Sequence, residues 1–172
     1  MAGNRLIISN TTPLINFAEI GGFDLLEGEL GPTSVSPAVI AELNTEAGKF
    51  PRAAALAGNG KLTVLPPGNS FLLKHLMQSL HWGEAECIAT ALEYAARKSL
   101  LILDDTAARA AASIHGIPFI GTLGVLLAAK QSGRIARIGP LMEVFRDKAQ
   151  FWISDTLWTS VLRRADELHS PD

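Results

Sequence analysis

The sequence predicts an α/β layered fold organised around parallel strands. Short, apolar, mostly branched runs of strand length recur along the chain, and longer segments of helical period stand between them. Strands separated by helices pair in parallel through crossover connections, which is the basis of α/β layering. No repeat, linker or low-complexity segment interrupts the 172 residues. One domain over residues 1–172 is therefore expected, with residues 150–169 forming a helical extension at its C-terminal end.

The first strand is RLIIS (Arg5 to Ser9), short and branched enough to be buried on both faces. TTPLINFAEI follows as a helix, with Thr11 or Thr12 as cap and Pro13 in the first turn, where its missing N–H costs nothing. Gly21 and Gly22 separate it from a second helical piece, GGFDLLEGEL. SPAVIAELNTEAG repeats the Ser-Pro start and carries Val39, Ile40 and Leu43 on one face. KLTVLP reads as the second strand, stopped by Pro66, Pro67 and Gly68. SFLLKHLMQSL is amphipathic, and WGEAECIATALEYAARK is the strongest helical pattern in the chain. SLLIL is a fully apolar strand, TAARAAASIHG a helix closed by Gly116, and IPFIG a short strand. TLGVLLAAKQSGRI, with Thr122 as cap, and two more helical segments complete the pattern.

The residues are 48% hydrophobic and 19% charged, a globular balance. No apolar run approaches the ~18 residues that span a bilayer, and no leader opens the chain, so a cytoplasmic protein without membrane contact is expected. The single Cys87 offers neither a disulfide within the chain nor a metal-ligand spacing and reads as a small buried residue. Net charge is −2 and the pI about 6.1. A broad electrostatic face for nucleic acid would be basic, so any such contact has to be local or assisted by bound cations. Lys61, Lys74 and His75, and separately Lys130, Arg134 and Arg137, either steer phosphates or are ordinary solvated faces.

Ligands of parallel sheets gather beyond the carboxyl ends of the strands, and polar residues collect there. Ser9, Asn10, Thr11 and Thr12 follow the first strand directly. Asp104 and Asp105 follow the third, and adjacent acids repel unless a cation is near. Capping of the next helix explains Asp105 but leaves Asp104 without a role. Glu84 and Glu86 open the long helix, where the helix dipole alone stabilises acids by about 0.3–1 kcal/mol. Helical spacing sets Glu84 with Ile88 and Ala95 toward the core, and Glu86 with Thr90, Glu93 and Arg97 toward solvent. Glu42, beside the apolar face of its helix, reads alone as a surface residue. Together these acids, without matching cations in their motifs, form the kind of oxygen-only set that binds Mg²⁺. No G-x-G-x-x-G or P-loop pattern appears, and the two adjacent Asp do not match a dehalogenase-type phosphatase, which spaces them by one residue.

In order along the chain, IISNTTPLINFAEIGGFDLL, SPAVIAEL, WGEAECIATALEYA, LLILDDTAARAAA and IPFIGTLGVLLAAKQSGRI resemble the PIN-domain superfamily. They are most similar to a branch of uncharacterised PIN-like proteins distantly related to the VapC-type toxin nucleases. The likeness covers about Arg5 to Ile135, and FWISDTLWTSVL resembles that branch's C-terminal helix. The resemblance implies a three-layer fold with a central parallel sheet of four or five strands. It implies a metal-dependent endoribonuclease hydrolysing RNA phosphodiesters with Mg²⁺ or Mn²⁺, in some relatives a toxin paired with an antitoxin protein. It carries the pocket acids onto Asn10, Glu42, Glu84 and the Asp104–Asp105 pair, with Asp105 favoured as the metal ligand and Asp104 still open as a catalytic acid. Thr11 and Thr12 correspond to the hydroxyl after the first acid, and Arg109 is placed to hold Asp105 or touch a substrate phosphate. Asn10 departs from the usual Asp: an amide oxygen ligates Mg²⁺ without bringing charge, so ion affinity should fall. The alternative is a weak or inactive PIN-like module that binds RNA or a partner protein. Phe151, Trp152, Ile153, Leu157, Trp158, Val161 and Leu162 give the C-terminal segment more apolar surface than a solvated helix needs, which points to core packing, a homodimer seam or an antitoxin groove.

Overall fold

Five short strands make one all-parallel sheet in the order β3-β2-β1-β4-β5. The structure is a computed structural model that describes residues 5–94 and 98–168. The strands are β1 (Leu6–Ser9), β2 (Thr33–Val35), β3 (Thr63–Val64), β4 (Ser99–Ile102) and β5 (Phe119–Ile120). Among the described residues ten helices flank them: α1 (Thr11–Glu19), α2 (Phe23–Leu30), α3 (Pro37–Thr45), α4 (Pro51–Gly58), α5 (Ser70–Leu76), α6 (Trp82–Glu93), α7 (Thr106–Ile114), α8 (Thr122–Gln131), α9 (Gly139–Lys148) and α10 (Asp155–Arg164). This is the three-layer α/β fold the sequence predicts.

β1 is central and branched-apolar because it is covered on both faces, with Ile7 and Ile8 almost wholly buried. It pairs with β4 from Leu6↔Ser99 to Ser9↔Ile102, and with β2 at Ile7↔Thr33 and Ile8↔Ser34. β2 (TSV) is an unanticipated strand. Its Thr33 and Ser34 are polar yet buried, so no apolar run announces it. KLTVLP supplies only the two exposed residues of edge strand β3, which ends where the prolines remove ladder donors. Helix α4, which starts on Pro51, is also absent from the sequence reading.

Packing follows the alternation. α1 lies against α2, α3, α4 and α9, while α6 lies against α5, α7, β1 and β4 and also meets α3. Phe17 of α1 and Phe145 of α9 meet edge to face at 5.4 Å, both fully buried. Near the C-terminal end, Lys130 and the N–H groups of Ile138 and Gly139 converge on Glu167 at 2.6–2.9 Å. Burial works against that charge, but these donors prevail and hold the carboxyl below its ordinary range.

The order of the sheet decides where function gathers. The chain leaves β1 toward β2 and β3 on one side, and β4 and β5 lie on the other. The carboxyl ends of β1 and β4 therefore face a topological switch point. Asn10, Asp104, Asp105 and Thr122 all stand at or next to strand ends on that edge.

Candidate functional site at the carboxyl edge of the sheet

The N–H of Asn10 donates to the carbonyl of Ile102 at 3.1 Å, extending the β1–β4 ladder one step and fixing Asn10 at the edge. Asn10, not Thr11 or Thr12, is the N-cap residue of α1, and its side chain makes no capping bond. Its Oδ1 is buried with no hydrogen-bond partner among the described residues, an uncommon condition for an amide oxygen. Thr11 does not cap because its hydroxyl donates to Glu42 Oε2. Thr12 is exposed.

Glu42 reaches this edge from the last turns of α3 and is half-buried. Its Oε1 accepts the Gly83 N–H at 3.2 Å, one of the donors at the start of α6 that no helix carbonyl can satisfy. Gly83 has to be glycine for this approach. A Cβ there would lie 2.7 and 2.9 Å from the two Glu42 oxygens. Glu84, one residue on, is buried and accepts the His81 N–H at 3.1 Å. Burial raises its carboxyl above the ordinary range, the His81 N–H opposes this, and the charges of Asp105 and Glu42 push it up further. Cys87 lies beneath, its thiol 3.5 Å from the Ser9 carbonyl. Burial raises that thiol strongly, and the charges of Glu42, Glu86 and Glu84 add to the shift, so it is an inert core residue.

Across the switch point Asp104 is held from several directions. Thr122 donates its N–H to Oδ1 at 2.9 Å and its hydroxyl to Oδ2 at 2.6 Å. Asn16, buried in α1, donates its amide to Thr122 Oγ1 at 3.1 Å. Arg109 Nη2 lies 3.5 Å from Oδ1, and its Nε donates to the Leu103 carbonyl at 2.8 Å. Burial still raises the Asp104 carboxyl, with Thr122 and Arg109 offsetting only part of the shift. Asp105 is exposed and caps α7, its Oδ1 accepting the Ala108 N–H at 2.9 Å.

A family model described as a PIN domain matches residues 6–167. The chain belongs to the PIN-domain family. No curated protein and no solved structure matches it. PIN domains are generally nucleases, act on nucleic acid and usually use divalent metal ions. Among the described residues no helix is long and apolar enough to cross a membrane.

In this PIN domain the residues singled out from sequence fall into two adjoining sets. Thr11, Glu42 and Glu84 form one, Asp104 and Arg109 the other, and Asp105 joins the first through its charge on Glu84. Among the described residues, no three His, Cys, Asp or Glu side chains are arranged so as to hold a metal ion. Three expectations are corrected. Glu86 is buried rather than solvated: its Oε2 accepts the Ala38 N–H at 2.8 Å and its Oε1 the Trp82 indole N–H at 2.9 Å, because α3 covers that flank of α6. Thr90 of the same stripe is buried as well, Glu93 is exposed, and Arg97 lies outside the described residues. Arg109 turns back to Asp104 and the end of β4 instead of forming the helical pair with Asp105. Thr122 is the first helical residue after an N-cap Gly121, and its hydroxyl serves Asp104.

Asn16 and Gly83 carry no motif that marks them in the sequence, and Gly121 stands there only as the first residue of the GTLG helix start. A polar residue amid the apolar face of α1 was the signal for Asn16. For Gly121 the geometry is steric: a Cβ there would collide with the Arg109 guanidinium and stand 3.0 Å from Asp104 Oδ1. Of the basic groups, Lys61, Lys130 and Arg134 are engaged with Asp24, Glu167 and Glu29 at 2.8, 2.7 and 3.1 Å.

Proposed function

We propose that this PIN domain is a divalent-metal-dependent endoribonuclease that hydrolyses RNA phosphodiesters at the carboxyl edge of its sheet. Although no three acids among the described residues stand arranged around an ion, Glu42, Glu84 and Asp105 are assigned as the carboxylates that would close on one, with Asn10 as a neutral ligand. Asp104, in the adjoining set, is assigned as a catalytic acid, held in place by Thr122 and Arg109. Thr11 orients Glu42, and Thr12 and Arg109 are assigned to the substrate.

The observation that carries this reading is that acids from separate elements meet at the switch point of the sheet: Glu42 of α3 bonds Thr11 and the Gly83 N–H, Glu84 stands next to Gly83, and Asp105 follows β4. A second supports it. The partnerless Oδ1 of Asn10 sits at the same edge and suits a hard cation, as does an all-oxygen donor set from which the buried Cys87 is excluded. Mg²⁺ or Mn²⁺ would supply charge neutralisation of the phosphate and a bound water of lowered pKa. The chain's own part is positioning. The Gly83 N–H and Thr11 hydroxyl fix the Glu42 carboxylate, and the Ala108 N–H fixes one oxygen of Asp105 while leaving the other open.

The test is cleavage of a labelled single-stranded RNA in Mn²⁺. The wild type cuts it, and both EDTA and Glu42→Gln abolish cutting. Intact RNA in every arm, with no heat of Mn²⁺ binding, would overturn the proposal. If the nuclease is a toxin of an antitoxin pair, its expression alone arrests growth, and Glu42→Gln relieves the arrest. A second reading, a weak module that binds RNA or a partner protein, is favoured by one observation. Each carboxylate of the cluster already accepts a hydrogen bond from the protein, and Asn10 brings no charge.

A further inference from the structure

Phe151 and Trp152 sit on a ridge between two grooves. One, of about 540 Å³, runs from Asp104, Asp105 and Arg109 past Phe119 to Leu157 and Arg164. The other, of about 200 Å³, is lined by Thr12, Asn16 and Lys49 among others. Both residues line both grooves. They are nevertheless treated in opposite ways. Phe151 is tied inward, its N–H donating to the Phe145 carbonyl at 3.2 Å and its ring meeting Phe145 edge to face at 6.4 Å. Trp152 is turned out, 81% exposed, with Leu157 (45%) and Phe119 (36%) along the same groove. Gln150, the residue before this pair, has φ +55°, a conformation that side chains other than glycine rarely adopt. The turn that ends α9 is thus built so that one aromatic anchors and the next is presented.

An indole held out at the mouth of a groove by a half-buried neighbour is a large apolar face with no partner among the described residues. Cations line the two grooves it separates: Lys49, over the Phe50 ring at 4.9 Å, in the small one, and Arg164 with Arg109, which also reaches Asp104 at 3.5 Å, in the large one, which ends at the two aspartates of the candidate site. An exposed ring between positive groups is the arrangement that binds an unpaired nucleobase, because every base has a π-face and every phosphate a charge.

We infer that Trp152 is the stacking platform for one unpaired base of single-stranded RNA. The strand crosses the ridge so that its phosphates lie against Lys49 on one side and against Arg109 and Arg164 on the other, which leads it to the aspartates. This rests on the reading of the acid site as one that acts on RNA, and it restricts the substrate to single strands or loops. A duplex keeps its bases stacked and cannot lay one on Trp152.

Fluorescence anisotropy with a labelled single-stranded RNA, its matched duplex, and the same strand carrying an abasic position tests this on the full chain. Titrations in EDTA keep cleavage out of the readout. Trp152→Ala weakens single-strand binding about tenfold, the scale of one base–aromatic stack, while Trp152→Phe restores most of it. Some abasic position costs the wild type a similar factor and costs Trp152→Ala nothing. The duplex binds more weakly and is indifferent to the substitution. Equal affinity of wild type and Trp152→Ala for the single strand overturns the inference. So does a concentration-dependent dimer, seen by sedimentation, that Trp152→Ala dissolves while RNA affinity is kept, since the ridge would then be a seam between copies. A wild type that binds RNA through Trp152 but never cuts it in Mn²⁺ sustains this inference and sinks the nuclease reading. A wild type that binds no RNA in EDTA overturns this inference, and the nuclease reading falls with it only if the RNA also stays intact in Mn²⁺.

Discussion

Replacing Thr122 with Val keeps the shape of the side chain and removes only its hydroxyl, which makes it a clean probe of how Asp104 is held. Thr122 is wholly buried, so water cannot take the hydroxyl's place. Two interactions are lost together: the 2.6 Å bond to Asp104 Oδ2, and the acceptor for the Asn16 amide, itself 1% exposed. A bond to a charged group contributes about 1.5–3 kcal/mol, and a stranded buried donor costs about 1–3 kcal/mol. Asp104 keeps the Thr122 N–H and Arg109, so the lower halves of both ranges apply and the expected loss is about 3 kcal/mol. Urea unfolding followed by far-ultraviolet circular dichroism reads this as a shifted midpoint at constant slope. Asp104 also gives the loss a pH signature. Its folded carboxyl is raised by burial, so its stabilising contribution is full below the unfolded carboxylate range and is lost as pH rises through the higher folded value. The Thr122 hydroxyl opposes that rise, so Thr122→Val is most harmful at neutral pH and less so once the pH has fallen below the unfolded carboxylate range. The Asn16 share persists at both. A Thr122→Val protein within about 0.5 kcal/mol of wild type would refute the argument. So would a Thr122→Ser protein as unstable as Thr122→Val, which would assign the effect to the methyl group.

Glu84→Gln should stabilise the metal-free protein at neutral pH, because burial and the charges of Asp105 and Glu42 raise the Glu84 carboxyl and penalise its ionised form; the gain should vanish as pH falls below the unfolded carboxylate range, and thermal melts across pH check it. Asn10→Asp adds a charged ligand where a buried oxygen lacks a partner; Mn²⁺ binding by calorimetry should tighten about tenfold while the metal-free protein loses stability to like-charge repulsion. Gly83→Ala drives the Glu42 carboxylate off its N–H donor, so it should fail to show the helix-propensity gain of up to about 1 kcal/mol and should weaken Mn²⁺ binding.

The strands that carry the site were legible because burial on both faces leaves an unambiguous mark. Leu6–Ser9 and Ser99–Ile102 are apolar and branched, and their ends named the positions of Asn10 and Asp104. β2 was not legible. Thr33–Val35 is a strand because β1 and β3 pair with it on both sides, a tertiary fact that three residues cannot announce. Caps show the same division. Ser36 and Asp105 accept the N–H groups of Val39 and Ala108, as local chemistry predicts. The hydroxyls of Thr11 and Thr122 are instead recruited by Glu42 and Asp104, 31 and 18 residues away along the chain. Glu86 was misplaced because a helical wheel assumes one wet face, whereas α6 from Gly83 to Ala91 is buried throughout.

How a chain of net charge −2 would meet a polyanion follows from where its cations go. Lys61, Lys130 and Arg134 each lie within 3.1 Å of a carboxylate, so residues that look like a basic surface in the sequence are engaged in holding elements together. What the carboxyl edge offers is a group of acids in which Glu42 and Asp105 disfavour the charge on Glu84, an amide oxygen with no partner among the described residues, and an aromatic ridge with a few cations along its grooves. Phosphate cannot approach the acids without a cation between them, and bases need no cation to stack. Affinity divided in this way makes the ion a condition for bringing the scissile phosphate to the acids, while the ridge retains the strand whether or not the ion is bound.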